Sequence, residues 1–496
     1  MNHNQSTHYK QKEIRLINST LRDGVQGVWS GRARKEELLP IAYTLDKGGY
    51  EAIDLMAPVQ FEICVKELKE NPWFRAREIR DVVRSTPLCT HLRSRSLTSF
   101  DLVHDSIFNL WVERIAINGF KRAMIFDALN DMENLKKSSQ RAKEAGLNVC
   151  LILFYTVSPV HTTQYYEQKA KALAELKPDS ICLRDPSGLL TPEMVRELFP
   201  RLRKAIGNTP LFLKSHGNTG LAENCYIEAA NHGADGFFVA SEPLANGSSI
   251  PSVRSVTTAL KKQGFIINID MQRVKDEEDY FFQLAERTNR PISKPVNVKA
   301  LQGTQFKHQI PGNMIAFTKN QLQEMGVSHL LPEVLEEFVA VRADMGYPVM
   351  VTPISQLVCV QAVLNVMHSE RYKVIPKEVS RYVLGFYGRP AAPIAEDLLD
   401  RVSRQSEHLP KDAGDPIKEA RDRYGRNLSD DDLLLHILFH QDQLEGIQFD
   451  SSSKLTDNTL DSHRFKQYLR LIEMCSSSSS RSIYIEKKDF RLIMKN

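Results

Sequence analysis

No run of apolar residues in this sequence approaches the roughly 18 that a membrane-spanning helix needs, so no membrane span is expected. Residues 1–12 are polar and lack the apolar stretch of a secretory signal, which points to a cytoplasmic protein with a short flexible N-terminal tail. An excess of one charge is also missing. The 65 Lys and Arg against 61 Asp and Glu leave +4 over 496 residues, too thin a positive field for nucleic-acid binding. The seven cysteines (Cys64, Cys89, Cys150, Cys182, Cys225, Cys359, Cys475) are odd in number and form no CxxC pair, which disfavours a disulfide framework and a structural zinc site. There is no GxxxxGK[ST] string to cradle nucleotide phosphates. What is present is a globular composition, 42% hydrophobic and 25% charged, over a length that exceeds one ordinary core.

Eight short apolar runs recur between Glu13 and Ser241, beginning at Glu13, Glu51, Leu88, Ala123, Val149, Ser180, Leu211 and Gly236. Between them lie stretches of helical periodicity, such as 35–47, 132–145, 164–176, 192–205 and 221–231. Strand-sized runs alternating with helices signal parallel βαβ units, and eight of them predict an α/β fold, a closed (β/α)8 barrel over 13–267. Beyond it helical patterns dominate, at 314–325, 332–344, 354–367 and 377–384, so 268–475 is expected to form a mainly helical C-terminal extension. Residues 406–416 suit a loop, and 476–496 a Ser-rich connector and tail.

In such a barrel the strand C-termini build the active face. Several runs end there in polar groups: Asp23 just past the first, Asp127, Arg184 with Asp185, and His216. The densest is LRDGVQG at 21–27, where Arg22 and Asp23 sit side by side. The carboxylate can bind a divalent cation and the guanidinium can stabilise an enolate oxygen, while a structural salt bridge between charged groups is the plain alternative.

The LRDGVQG string resembles the opening motif of the metal-dependent barrel lyases and synthases. Other strings resemble the biotin-dependent carboxyltransferase branch: ENPWFRAREIR at 70–80, FDALND at 126–131, YTVSPVHT at 155–162, QIPGNM at 309–314, VTPISQLV at 351–358 and LGFYGRP at 384–390. The resemblance runs from about Ile14 to Pro390. It implies a barrel enzyme that moves a carboxyl group between carrier-bound biotin and pyruvate, oxaloacetate or a related 2-oxoacid. It also implies a homodimer and a divalent metal (Mn, Zn or Mg) held by an aspartate, a carbamylated lysine and an HxH pair of histidines.

Asp23 and His216 match two of those ligands, but Arg184 stands for the lysine and Lys214 for the first histidine. A guanidinium offers no lone pair and an ammonium offers one only after losing its proton, so only a weak site on Asp23 and His216 could persist. Gln26, Arg93 and Thr352 match positions that hold the oxoacid or move its proton, whereas Ser94 and Ser96 depart from the family's LRGxN string. Lys214 could be a fixed cation, a neutral nucleophile forming a Schiff base with a ketone, or an ion-pair partner of Asp23 or Asp185. No lysine between two methionines marks a biotin carrier here, so biotin would have to arrive on a separate subunit. Three readings follow: 2-oxoacid carboxyl transfer or decarboxylation through an enolate on Arg22, Asp23, Arg184, Lys214, His216 and Thr352, with no cofactor required; a standard metal- and biotin-dependent subunit; and a non-catalytic scaffold or 2-oxoacid-binding partner protein.

Overall fold

The computed structural model describes residues 12–94, 96–98, 102–294, 309, 312–368, 370–405, 414–449, 482–487 and 490–495. Each of the eight apolar runs forms a strand: β1 (Arg15–Asn18), β2 (Ala52–Met56), β3 (Leu88–Arg93), β4 (Arg122–Phe126), β5 (Asn148–Phe154), β6 (Ser180–Asp185), β7 (Leu211–Ser215) and β8 (Gly236–Val239). They close in sequence order into a parallel barrel, β8 pairing with β1. The helices between them lie outside, as at Pro192–Ile206. Thr191 caps the Met194 N–H, Pro192 supplies a preset first turn, and Val195, Leu198, Phe199, Leu202 and Ile206 bury one stripe.

Alternation along the strands decides which side chains fill the barrel. Ile17, Ala52, Cys89, Met124, Phe126, Cys150, Ile152, Phe154, Cys182, Phe212 and Phe238 form a separate interior cluster. Two residues further along the same strands come Asp54, His91, Arg184 and Lys214. The interior therefore changes from apolar to charged within one layer, at the C-terminal mouth.

The region beyond 268 packs in three different ways. Helix Met271–Arg287 lies against the barrel, with Val274, Phe281 and Leu284 in the barrel's outer core. Phe338, Val341, Ile354, Val358 and Tyr382 centre a second core, which also takes in Ala128 and Leu129 from the β4 loop. Residues 416–449 then return to the barrel, where Leu434, Leu435 and Phe439 join its outer core. Within the tail, β9 (Ser482–Lys487) and β10 (Phe490–Lys495) form an antiparallel hairpin, which the reading of 476–496 as a Ser-rich connector and tail did not anticipate. The serine run 476–480 and most of the expected loop at 406–416 lie outside the described residues.

Two side chains clamp the second core onto the mouth. Arg342 donates to the Pro348 carbonyl, to the Val157 carbonyl and to Thr156 Oγ1. Gln309 accepts from Thr156 Oγ1 and donates to the Val157 carbonyl. FDALND and LGFYGRP also meet, Arg389 N–H donating to Asp131, and Asn134 on the helix that follows donates to the Tyr387 carbonyl. These contacts place 350–355 across the barrel mouth.

The returning segment is held by Asp431. Its buried carboxylate receives Arg77 at 2.6 Å, Arg114 at 2.7 Å and Asn118 at 2.9 Å, while its carbonyl accepts from Trp73 Nε1. Removing one partner of a buried ion pair costs several kcal/mol, less where the remaining charges reach water as these arginines do. Asp431→Ala should lower stability by about 2–3 kcal/mol in urea unfolding; a loss under about 0.5 kcal/mol would mean that this anchor contributes little.

Candidate functional site

Lys214 is in register with Arg184 on the neighbouring strand. Its inward parity follows from Phe212, and it is fully buried. The ammonium lies 2.7 Å from Asp23 Oδ2 and 3.0 Å from Asp54 Oδ2, donates to Ser19 Oγ at 3.2 Å, and faces the Phe238 ring at 4.7 Å. Ser19 in turn donates to Asp54 at 2.6 Å, and His91 Nε2 approaches the same oxygen at 3.1 Å. A buried amine with two carboxylates at contact distance is in ion-pair geometry with both. Of the roles open to Lys214 in the sequence, the geometry favours the ion-paired cation over the Schiff-base nucleophile. Its second partner is Asp54 and not Asp185, whose oxygens accept from Leu189 N–H, Leu190 N–H and Ser215 Oγ.

Asp23 is delivered by the wide helical turn Thr20–Gly24 that follows β1. Besides Lys214 it meets Arg22 at 3.1 Å and His216 Nε2 at 3.3 Å. Burial alone would raise its pKa, but Lys214, Arg22 and His216 outweigh it and hold the carboxyl well below the usual range. Asp54 follows the same logic: burial opposes its charge, while His91 and Lys214 keep it ionised. His91 is pushed down to about 3, chiefly by burial, and so donates as a neutral imidazole at physiological pH. Arg184 is lowered to about 10 by burial and the neighbouring Arg22, and remains a cation lying 5.5 Å from the Phe154 ring.

A cavity of about 150 Å³ opens over this floor, lined by Asp23, Gln26, Arg184, His216, Thr352 and Ser355 among others. Arg184 Nε is buried there without a hydrogen-bond acceptor, and so is Arg22 Nε on the turn before Asp23. Gln26 is oriented by a 3.1 Å bond from Gln60. Gly188 lets the β6 loop pass close to the second histidine position: it has φ +67°, and a Cβ there would sit 2.6 Å from the His216 carbonyl oxygen.

The structure brings together Arg22, Asp23, Gln26, Arg184, Lys214, His216 and Thr352. Arg93 is apart from them. It lines a second cavity of about 20 Å³ with Ser94, Ser96, Asp127, Pro353 and Tyr387, and burial lowers its pKa to about 10. Sequence reasoning missed Ser19, Asp54 and His91. The signal for the last two was available, since Asp54 and His91 are the charge-bearing residues within the mainly apolar strings AIDLM and LCTHL.

The donor set does not fit a divalent cation. Asp23 and Asp54 present their oxygens to the Lys214 ammonium, and where a lysine ligand would stand there is a guanidinium. Among the described residues no group of three or more His, Cys, Asp or Glu has metal-holding geometry. Nor is any helix among them long and apolar enough to cross a membrane.

Comparison with known proteins is consistent with this architecture. Residues 306–486 match a family model described as a conserved carboxylase domain. A pyruvate carboxylase subunit from Methanocaldococcus jannaschii is 37% identical over 86% of this chain and 76% of its own length. The methylmalonyl-CoA carboxyltransferase 5S subunit of Propionibacterium freudenreichii subsp. shermanii is 30% identical over 87% of this chain and 86% of its own. The carboxyl transferase domain of Rhizobium etli pyruvate carboxylase, solved with pyruvate, superposes with a TM-score of 0.80 at 21% identity, covering 99% of this chain and 84% of that one.

Replacing the buried ammonium would leave two carboxylates facing each other. Lys214→Met should cost about 3–5 kcal/mol at neutral pH. Asp23 and Asp54 are depressed in the folded protein, so the stability tied to their charge is present above their unfolded pKa and lost as pH falls below it. In the variant that support is gone, so its deficit against wild type should shrink as pH falls towards 4 in urea titrations. A deficit independent of pH would show that the lysine acts by packing alone.

Proposed function

The chain belongs to the pyruvate carboxyltransferase-domain family, and on that premise we propose that it is the carboxyltransferase subunit of a 2-oxoacid carboxylase, exchanging a carboxyl group between pyruvate or a close relative and biotin on a separate carrier subunit. The observation that carries this reading is Arg184, whose buried guanidinium lines a cavity of small-molecule size with an Nε donor that has no acceptor, while the buried guanidinium of Arg22 sits on the turn that brings Asp23 to the same cavity. Counting only the lysine, arginine and aspartate side chains, three cations face two carboxylates, leaving one positive charge over for a monoanionic substrate.

In this reading the oxoacid's carboxylate and keto oxygen accept from Arg22 and Arg184, and Gln26 helps orient it. When the methyl carbon loses its proton, negative charge moves onto the keto oxygen, where fixed cations in a dry site stabilise it most. Thr352, at the cavity edge, is placed to carry that proton. Carboxylated biotin supplies the carboxyl group and receives the proton at its ureido nitrogen. The enolate carbon gains the C–C bond as the N–C bond to the carboxyl breaks, and the reverse direction decarboxylates oxaloacetate. The protein's own cations, Lys214 included, take the part of a divalent metal.

The test is carboxyl exchange between oxaloacetate and a biotinylated carrier by chelator-treated protein. Turnover should survive chelation, and Arg184→Met should lower kcat/KM by at least about a hundredfold. Turnover that appears only after Mn²⁺ or Zn²⁺ is restored would overturn the role given to the cations. Silence with carrier and metal both present would favour a non-catalytic 2-oxoacid-binding scaffold.

A further inference from the structure

Behind the turn that carries Arg22 and Asp23 lies a carboxyl group with no role in the chemistry above. Glu277, on helix Met271–Arg287, is buried and has no cation against it among the described residues. Asn18 Nδ2 donates to it at 3.0 and 3.2 Å, Thr20 Oγ1 at 2.7 Å and the Tyr50 hydroxyl at 3.0 Å. Asn18 is the last residue of β1 and Thr20 the first of the turn. Asn18 Oδ1 accepts the Thr20 N–H, and Thr20 Oγ1 accepts the Ser241 N–H at the exit of β8, so the single Thr20 hydroxyl proton goes to Glu277. Asp23 N–H and Gly24 N–H both return to the Ser19 carbonyl, so the turn is built on residues fixed at this point.

We propose that Glu277 is a positioning residue: its carboxylate fixes the β1 exit turn and thereby the placement of Arg22 and Asp23 for an anionic 2-oxoacid, and its protonation loosens that placement. Every partner is oriented as a donor, so the ionised form satisfies all of them. A proton on the carboxyl needs an acceptor, and at least one donor must turn away to provide it.

Burial raises Glu277 to about 7, so the change of state falls near neutral pH. Tyr50, which faces it, is itself raised well above 10 by burial and stays neutral there. Of the other charged groups on this helix and the elements packed against it, Glu278 pairs with Arg254 and its charge adds to the rise at Glu277, while Glu37 pairs with Arg290, Lys35 with Glu78 and Asp46 with Lys47; Glu36, Glu242, Lys261 and Lys262 make no ion pair with Glu277. His216 is a separate titratable group at the mouth, and substitution at 277 leaves it in place.

The inference rests on the 2-oxoacid reading for its functional consequence but not for its structural one, so two readouts are taken on the intact chain. The first is binding of pyruvate from pH 6 to 8.5. The second is amide hydrogen exchange of residues 19–24 over the same range, corrected for intrinsic rates. Wild type should bind pyruvate about fivefold more weakly at pH 6 than at pH 8.5, the equivalent of one net hydrogen bond, with matching loss of protection in the turn. Glu277→Gln should hold the weak value throughout, and Tyr50→Phe should shift the midpoint without abolishing it. Flat wild-type profiles, or a Gln variant that keeps the wild-type profile, would overturn the proposal. A pH-dependent turn in a protein that binds no 2-oxoacid would sink the functional reading and leave the positioning role standing.

Discussion

The site depends on one buried ammonium. Lys214 stands between Asp23 and Asp54 with no access to water, and its charge is the one support that both carboxylates share at contact distance. Charges taken out of water at this depth cost several kcal/mol each unless they are paired and hydrogen-bonded. Here Ser19 and His91 complete the shell of Asp54, and Arg22 and His216 that of Asp23. Everything else at the mouth is arranged around that lock. With the aspartates occupied by the lysine, Arg184 Nε and Arg22 Nε are left buried without an acceptor, and the proposed anion site rests on the first of them, at the cavity wall.

A second constraint comes from outside the barrel. The mouth is completed by 350–355, a segment placed by Arg342 and Gln309 on the loop after β5. Arg342 is buried at the junction and is satisfied by two carbonyls and a hydroxyl. The position of Thr352 is therefore tied to the seating of a second hydrophobic core, and any motion of that core against the barrel is also a motion of Thr352 against Asp23 and Arg184 across the cavity.

The sequence made the barrel legible because its signal is local: a strand of four to seven residues, buried on both faces, reads as a short apolar run, and the helices between carry their own caps and stripes. The second core was legible in its helices for the same reason. The return of 416–449 to the barrel and the hairpin at 482–495 were not, since long-range packing leaves little trace in a window of neighbouring residues. At the site, the residues beyond strand ends stood out, including Asp23, Arg184 and His216. Asp54 and His91 lie inside otherwise apolar strands, in the same layer as Arg184 and Lys214, and Glu277 lies on an outer helix, so only the closed barrel shows that all three converge on the β1 exit.

The most direct test of the lysine lock is anomalous diffraction from crystals grown with pyruvate and excess Mn²⁺. Pyruvate is expected on Arg22 and Arg184, with Lys214 still between Asp23 and Asp54 and no manganese peak within bonding distance of either carboxylate. A manganese peak on Asp23 and His216 with the Lys214 side chain displaced would contradict it.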